Sequence, residues 1–300
     1  MRFDFLWEVS EADDETRIVT VVARPHPKRY ERQQVDGKTI YYDRFLKIAF
    51  PEEVVASMMR QMVGQSMSYT PPAIKSSGEY ASRRVQAIQE QLASGQYQPP
   101  IEQPSQHRPL TTGTEEVALT FLSVDICGST ALRAKSAVDY DQSHALLLQE
   151  LGTVIGHFHG SILKLTGDGF IAYFDTESNN SRCDNTVDCA LSAVDVLLRG
   201  LNPALEAKGL PALSIRVGAD HGNAVVRTYA VPATGYSQVD FVSDALNRTV
   251  KIQEMAEDNS VCIGASLYEC LHLQWLERCV EVDFDTSSLS AGNYRVYAVS

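Results

Sequence analysis

The stretch Val117-Ala-Leu-Thr-Phe-Leu-Ser-Val-Asp-Ile-Cys-Gly-Ser-Thr130 is a mostly apolar run, rich in β-forming residues, that ends on a carboxylate, Asp125. A Gly-Ser-Thr turn follows, and a helical pattern starts near Ala131. A second apolar run, Ser161-Ile-Leu-Lys-Leu-Thr-Gly-Asp-Gly-Phe-Ile-Ala-Tyr-Phe174, is broken by Gly167-Asp168-Gly169. Gly and Asp tolerate the backbone angles of a tight turn, so this run predicts two strands joined as a hairpin. One carboxylate thus ends a strand and another sits at a hairpin tip. Two acidic groups on rigid elements beside a small-residue loop suit a Mg²⁺–triphosphate site. Carboxylates hold hard cations, and bare N–H groups can approach phosphate oxygens.

Working outward, Tyr140 to His157 places Ala145, Leu146, Leu148, Leu151 and Ile155 on one buried helical face. The polar stretch from Glu177 to Asn185 predicts a mobile loop, and Val187 to Leu201 a second helix with a nearly continuous apolar side. Leu213 to Gly218 and Ala224 to Tyr229 predict another hairpin across Ala219-Asp220-His221-Gly222-Asn223. Asp244 to Ala256 reads as a helix, Val261 to Gly264 as a strand and Ala265 to Cys270 as a short helix. An alternating strand, Asn293 to Val299, closes the chain. The order β-α-β-β-α-β with additions predicts an α+β domain of the ferredoxin-like, split βαβ kind.

Three motifs carry a resemblance to a known family. Asp125-Ile-Cys-Gly-Ser-Thr-Ala-Leu132, Lys164-Leu-Thr-Gly-Asp168 and Asp240-Phe-Val-Ser-Asp-Ala-Leu-Asn-Arg-Thr-Val-Lys251 together resemble the class III nucleotidyl cyclases, over roughly residues 116–299. The resemblance implies that Asp125 and Asp168, with the Ile126 carbonyl as a third donor, hold two divalent ions, Mn²⁺ or Mg²⁺. One ion would activate a ribose 3′-oxygen and the other neutralise the leaving pyrophosphate. It further implies that Cys127, Gly128, Ser129 and Thr130 lend backbone N–H groups to the phosphates, with Ser129 or Thr130 also free to cap the helix. Asn247 and Lys251, spaced i, i+4 on one helix face, match the positions that steady the ribose and the α-phosphate. The family has arginine where this chain has Lys251, which keeps the charge but loses the guanidinium fork, and Arg248 is the candidate to compensate. The family's triphosphate-binding lysine has no counterpart between Val282 and Tyr294. Because a family site is assembled from both halves across a head-to-tail interface, the resemblance implies a homodimer with two sites.

Lys164 and Asp240 match the positions that read the base in adenine-specific relatives. Lysine can donate to adenine N1 and aspartate accept from the 6-amino group. The same pair suits cytosine through N3 and the 4-amino group, and uracil through O4 and N3–H, but disfavours guanine. The layout, a short catalytic domain behind a small module, resembles the bacterial pyrimidine cyclases of Pycsar anti-phage defence, which make cyclic UMP or cyclic CMP for a separate effector protein. Adenylate cyclase is the alternative. A degenerate, regulatory cyclase-like module is opposed by the retention of Asp125, Asp168 and Asn247. A diguanylate-synthesising relative is opposed by a hairpin that reads Thr166-Gly-Asp-Gly-Phe170 rather than G-G-[DE]-E-F.

Bulk properties bound the rest. Three hundred residues with 44% hydrophobic content suffice for about two domains with substantial cores. A net charge of −12 argues against a binder of nucleic-acid backbones. Acids interrupt the N-terminus where a signal peptide would be apolar, and no apolar run approaches the ~20 residues of a membrane span. The expectation is a cytoplasmic protein. The six cysteines form no C-x-x-C pair and are expected to be reduced and mostly buried, Cys127 being the one open to an oxidation-sensitive reading. His157 and His159 would share a face if their segment were a strand, a weak metal-binding pattern.

Residues 1–92 predict a small α+β module with no chemical motif, either a sensor or a dimerisation appendage. Strands are expected over residues 2–9, 18–24, 38–42 and 45–50, and helices from Pro51 to about Val63 and from Glu79 to Leu92. Residues 93–115, rich in Pro and Gln, predict an extended linker. Residues 116–300 would be the catalytic domain.

Overall fold

The computed structural model describes residues 1–300 apart from 14–17, 63–69, 109, 111, 114 and 289–292. Strand β1 (Phe5–Asp13) pairs antiparallel with β2 (Ile18–Pro25). A second small antiparallel sheet contains β3 (Tyr30–Val35), β4 (Lys38–Asp43) and β5 (Ile48–Pro51). β3 lies in a polar stretch that carries no strand signal, since of its residues only Tyr30 is buried. Helix α1 (Glu52–Met62) starts directly after Pro51 with two acids in its first turn, where they meet the helix's positive end. Helix α2 (Ser77–Ser94) is capped by the Ser76 hydroxyl and closed by Gly95 at φ 73°.

Helix α2 packs into the body formed by the strands and helices from Val117 onward. Tyr80, Ala81 and Ile88 join the main core, and the buried Arg84 makes two 2.7 Å hydrogen bonds to the buried Glu150 carboxylate. The described residues from 96 to 116 form no helix or strand and lie along that body. Ser105 N–H donates to the Gly156 carbonyl at 3.0 Å, for example.

The body begins with β6 (Val117–Ile126), α3 (Ser129–Lys135), α4 (Ala137–His157), β7 (Gly160–Leu165) and β8 (Phe170–Phe174). It continues with α5 (Asn179–Val196), α6 (Asn202–Glu206), β9 (Ile215–Val231), β10 (Tyr236–Val242) and α7 (Asp244–Met255). Then follow β11 (Ser260–Gly264), α8 (Ala265–Tyr268), α9 (Leu273–Leu276), β12 (Cys279–Val282) and β13 (Val296–Val299). The sheet order is β12-β13-β11-β9-β6-β8-β7, with β10 paired to β9. Its central four strands, β9-β6-β8-β7, are antiparallel neighbours in the order of a split βαβ domain, as the sequence predicts.

Alternation along β6 sorts the two faces of the sheet. Leu122, Val124 and Ile126 enter the main core beneath α4 and α5, whereas Leu119 and Phe121 enter a smaller cluster with Ile171, Tyr173, Phe241, Ala245 and Leu246. The last two belong to α7, so α7 covers this second face. Asp125 is in phase with Phe121 and therefore lies on the α7 face.

Several expectations are corrected. Residues 213–229 are not a hairpin: β9 runs unbroken for 17 residues, and the turn comes later, at Pro232–Gly235 before β10. The glycines in that stretch serve packing. A Cβ on Gly218 would sit 2.4 Å from the Gln253 nitrogen, and one on Gly222 would sit 2.9 Å from Ala245 Cβ, so α7 rests directly on the strand. The expected mobile loop at 177–185 is the start of α5, with the Ser178 hydroxyl capping it and the polar Ser181, Arg182 and Asn185 buried. His157 is the last residue of α4 rather than part of a strand, and His159 has φ 65°. Buried against Tyr80, His157 is kept neutral, its pKa lowered to about 4 by burial. His159 bonds Ser105 and the Pro71 carbonyl, so the two rings have separate environments.

Candidate functional site

Asp125 leaves the end of β6 opposite Arg216 of β9, whose Nη2 donates to Asp125 Oδ2 at 2.7 Å. Asp168 arrives from the β7–β8 turn, where Gly167 takes φ 91°, and the two carboxyl groups are close enough to share a hydrogen bond. Gly169 makes this approach possible. A Cβ there would fall 2.0 Å from the Val124 carbonyl oxygen and 2.9 Å from Asp125 Cα, so the hairpin lies bare on the β6 backbone. Burial raises the Asp125 carboxyl, Arg216 opposes that, and the neighbouring Asp168 adds to it. Asp168 is itself held below the usual carboxylate range: burial works against this but is outweighed by hydrogen bonds from Ser129 and Asp125. Two crowded carboxylates with oxygen donors only are a set that a hard divalent cation fits. The Ile126 side chain is buried in the main core, which fixes the strand end that carries its carbonyl.

The small-residue loop begins with Cys127, whose N–H donates to the Ser214 carbonyl at 2.8 Å. Burial, and then Asp258 beside it, push its thiol up to about 12, the reverse of an oxidation-prone thiolate. Gly128, at φ 64°, is the residue before α3 and makes no side-chain cap. Neither Ser129 nor Thr130 caps that helix: Ser129 instead lies beside the Asp168 carboxylate, and Thr130 is exposed. Ala131 and Leu132 N–H turn back to the Gly128 carbonyl, leaving the preceding N–H groups at the open helix start.

Lys164 and Asp240 meet. Lys164 Nζ donates to Asp240 Oδ2 at 2.5 Å, while Asp240 Oδ1 accepts from Phe241 N–H at 2.8 Å. Lys164 pairs across to Ile171, which places it on the same sheet face as Asp125. On α7, Asn247 is exposed and Lys251 half-buried, while Ala245, Leu246, Thr249 and Ile252 hold the helix down. Arg248 does not stand in for the family arginine. Its Nε donates to the fully buried Asp220 at 2.6 Å, its Nη2 to the His221 carbonyl at 3.3 Å, and its guanidinium lies over the Tyr294 ring.

Sequence reasoning missed Arg216. It is the charged residue in Ser214-Ile-Arg-Val-Gly218, between the buried Ile215 and Val217, and that alternation is the signal that could have found it.

A family model for the adenylate and guanylate cyclase catalytic domain matches residues 111–298. The chain belongs to that family. A curated cytidylate cyclase of Escherichia coli is 28% identical over 182 residues, covering 56% of this cyclase chain and 38% of that one. A second curated relative, from Rhizobium meliloti, carries a provisional adenylate cyclase name and is 24% identical over 159 residues, 51% of this chain and 23% of that one. This cyclase chain therefore spans well under half the length of either. Among solved structures, the guanylyl cyclase Cya2 superposes with a TM-score of 0.55 at 18% identity, covering 63% of this chain and 94% of that one. The adenylyl cyclase CyaB from P. aeruginosa gives 0.54 at 18% identity, over 62% and 95%. At such identities the structural likeness speaks for the cyclase fold alone. Among the described residues, no helix is long and apolar enough to cross a membrane.

Proposed function

We propose that this cyclase domain converts a nucleoside triphosphate to its 3′,5′-cyclic monophosphate and pyrophosphate, with a pyrimidine nucleotide, CTP or UTP, as substrate. The observation that carries the reaction is the seating of Asp125 against Asp168 through Gly169. These carboxylates, with the Ile126 carbonyl, would hold Mg²⁺ or Mn²⁺; such ions, when bound, lower the cost of forming a 3′-alkoxide and of releasing pyrophosphate. The Cys127 N–H is taken by the Ser214 carbonyl, so the N–H groups of residues 128–130 receive the phosphates, and Arg216 adds a guanidinium beside them. Asn247 and Lys251 orient the ribose and offset the charge that builds on the α-phosphate. Lys164 and Asp240 present one donor and one acceptor to the base edge, a pair that accepts cytosine, uracil or adenine. The match to a cytidylate cyclase favours a pyrimidine, and the adenylate-type relative makes adenine the second reading.

A homodimer completes the proposal. The β9–β10 arm exposes Tyr229, Val231, Tyr236 and Val242, an apolar surface suited to a second copy. That copy would bring the Asn247 and Lys251 face of its α7 to the carboxylates of the first. The domain plan, a module at 1–92, a linker at 93–115 and the catalytic domain from 116, belongs to the same proposal, except that helix α2 shares the core of the catalytic domain. So does a role in anti-phage signalling through a separate effector in the cytoplasm. The test is product formation by the purified chain with Mn²⁺ and each of ATP, GTP, CTP and UTP. Cyclic CMP or cyclic UMP supports the reading, cyclic AMP alone moves the chain to the second one, and no product from any substrate refutes catalysis. Plaque counts on cells carrying the chain with an effector test the defence role.

A further inference from the structure

On the sheet face opposite the carboxylates, three residues from distant parts of the chain converge. Cys183 lies in the first turns of α5, His221 at mid-strand in β9, and Cys270 just after α8. One donor atom from each, two Sγ atoms and a ring nitrogen, lies within 4.8 Å of the others. Cys183 is fully buried and Cys270 is 4% exposed, while His221 is half-buried at the edge of a cleft of ≈ 660 Å³. Lone buried cysteines behave as small apolar groups. These two instead bring their sulfurs within 4.8 Å of each other and of an imidazole nitrogen, at the point where the Met1 ammonium donates to Cys270 Sγ at 3.7 Å.

We propose that Cys183, His221 and Cys270 bind a thiolate-seeking divalent cation of the zinc class, with the fourth coordination position open to the cleft. Two sulfurs and one nitrogen are a donor set that selects such an ion over Mg²⁺ or Ca²⁺. With metal–sulfur bonds of about 2.3 Å, a tetrahedral centre sets its sulfurs about 3.8 Å apart, a span this cluster reaches with small side-chain rotations. A neutral imidazole offers one nitrogen lone pair to an ion while the other nitrogen keeps its proton, so His221 can serve as the nitrogen donor. The Thr120 hydroxyl lies 3.5 Å from Nδ1 and 3.9 Å from Cys183 Sγ, a polar neighbour for both ligands. Binding replaces whatever protons the two sulfurs carry with the ion and releases them to solvent, with no change of oxidation state.

The site is independent of the catalytic pair. Asp125 and Arg216 lie on the α7 face, whereas His221 pairs with Thr120, in phase with Leu122 and Val124 on the α5 face. Its neighbours tie it to the N-terminal segment. Asp184, next to Cys183, accepts from Arg2 at 2.6 Å, and the carbonyl of Leu271, next to Cys270, accepts from Arg29 at 3.3 Å. A bound ion would therefore brace the seam on which that segment docks.

The test uses the full chain, stripped of metal under reductant and titrated with Co²⁺. The proposal expects thiolate-to-cobalt charge-transfer absorption that saturates at one cobalt per chain and is lost on displacement by Zn²⁺. Cys183→Ser and Cys270→Ser should each remove most of that absorption, whereas Asp125→Asn should keep it. Should the serine variants fail to fold, alkylation of the native chain mapped by mass spectrometry decides instead: Zn²⁺ should protect Cys183 and Cys270 and leave Cys127 unchanged. Absence of charge-transfer absorption, its full persistence in both serine variants, or unchanged alkylation with Zn²⁺ would overturn the site.

Discussion

Two aspartate–arginine pairs lie on neighbouring strands of this molecule and differ in what surrounds them. Asp220 on β9 is fully buried, accepts from Arg248 at 2.6 Å and from the Tyr294 hydroxyl, which lies 2.8 Å from both its carboxylate oxygens, and sits where a Cβ on Gly264 would come 2.5 Å from it. Its charge is balanced and walled in. Asp125 on β6 also has an arginine, Arg216 at 2.7 Å, but it is half-buried and has a second carboxylate, Asp168, pressed against it. Charge there is in excess and open to solvent. Pairing alone does not separate a structural aspartate from a functional one; the local charge balance and the access to the site do.

The contrast makes opposite predictions for the two pairs. Asp220→Ala leaves Arg248 buried without its partner and should destabilise the chain by about 3–5 kcal/mol, read by urea denaturation. A loss below about 1 kcal/mol would mean that Asp220 is not the anchor of α7. Asp168→Asn should lower turnover by on the order of 10²–10³-fold or more. Its thermal midpoint should change little, because relief of the contact with Asp125 is offset by loss of the interactions that favour the ionised Asp168. If Asp168→Asn lost stability and kept turnover, the two aspartates would have exchanged their assigned roles. Gly169→Ala tests the seat between the strands: overpacking should cost about 1–3 kcal/mol and turnover should fall with it, since Asp168 is pushed off Asp125. The smallest effect is expected at Lys251→Arg, which restores a guanidinium fork and should preserve or raise turnover. A sharp loss there would place a different group at the phosphate.

Much of the carboxylate site is legible in the sequence because its determinants are local. A strand ending in Asp125 and a turn holding Asp168 each declare themselves within a few residues, and the strand order of the central sheet follows from the order of the elements. What misled was long-range. Asp220, Gly222 and Asn223 have turn chemistry, yet here the small residues admit α7 and the acid meets Arg248, a partner 28 residues away. The polar start of α5 looks like a loop although Arg182 and Asn185 are buried there, Arg182 bonding the Thr176 carbonyl just before the helix and Asn185 the Thr70 carbonyl, 115 residues away. Arg248 looked available for phosphate for the same reason, and Arg216 was passed over because its partner lies across a strand pair. The meeting of Cys183, His221 and Cys270 had no local signal at all.

The central claim is that each chain carries two half-sites that work only across a pair of copies. Mixing an Asp125→Asn chain with an Asn247→Ala chain tests it directly. Each variant alone should be inactive. In an equilibrated one-to-one mixture, half the dimers are mixed and each of those regains one intact site, so turnover should return to about a quarter of the unmodified protein's. No recovery, with mixed dimers demonstrated by mass, would contradict the account and confine the reaction to groups within one chain.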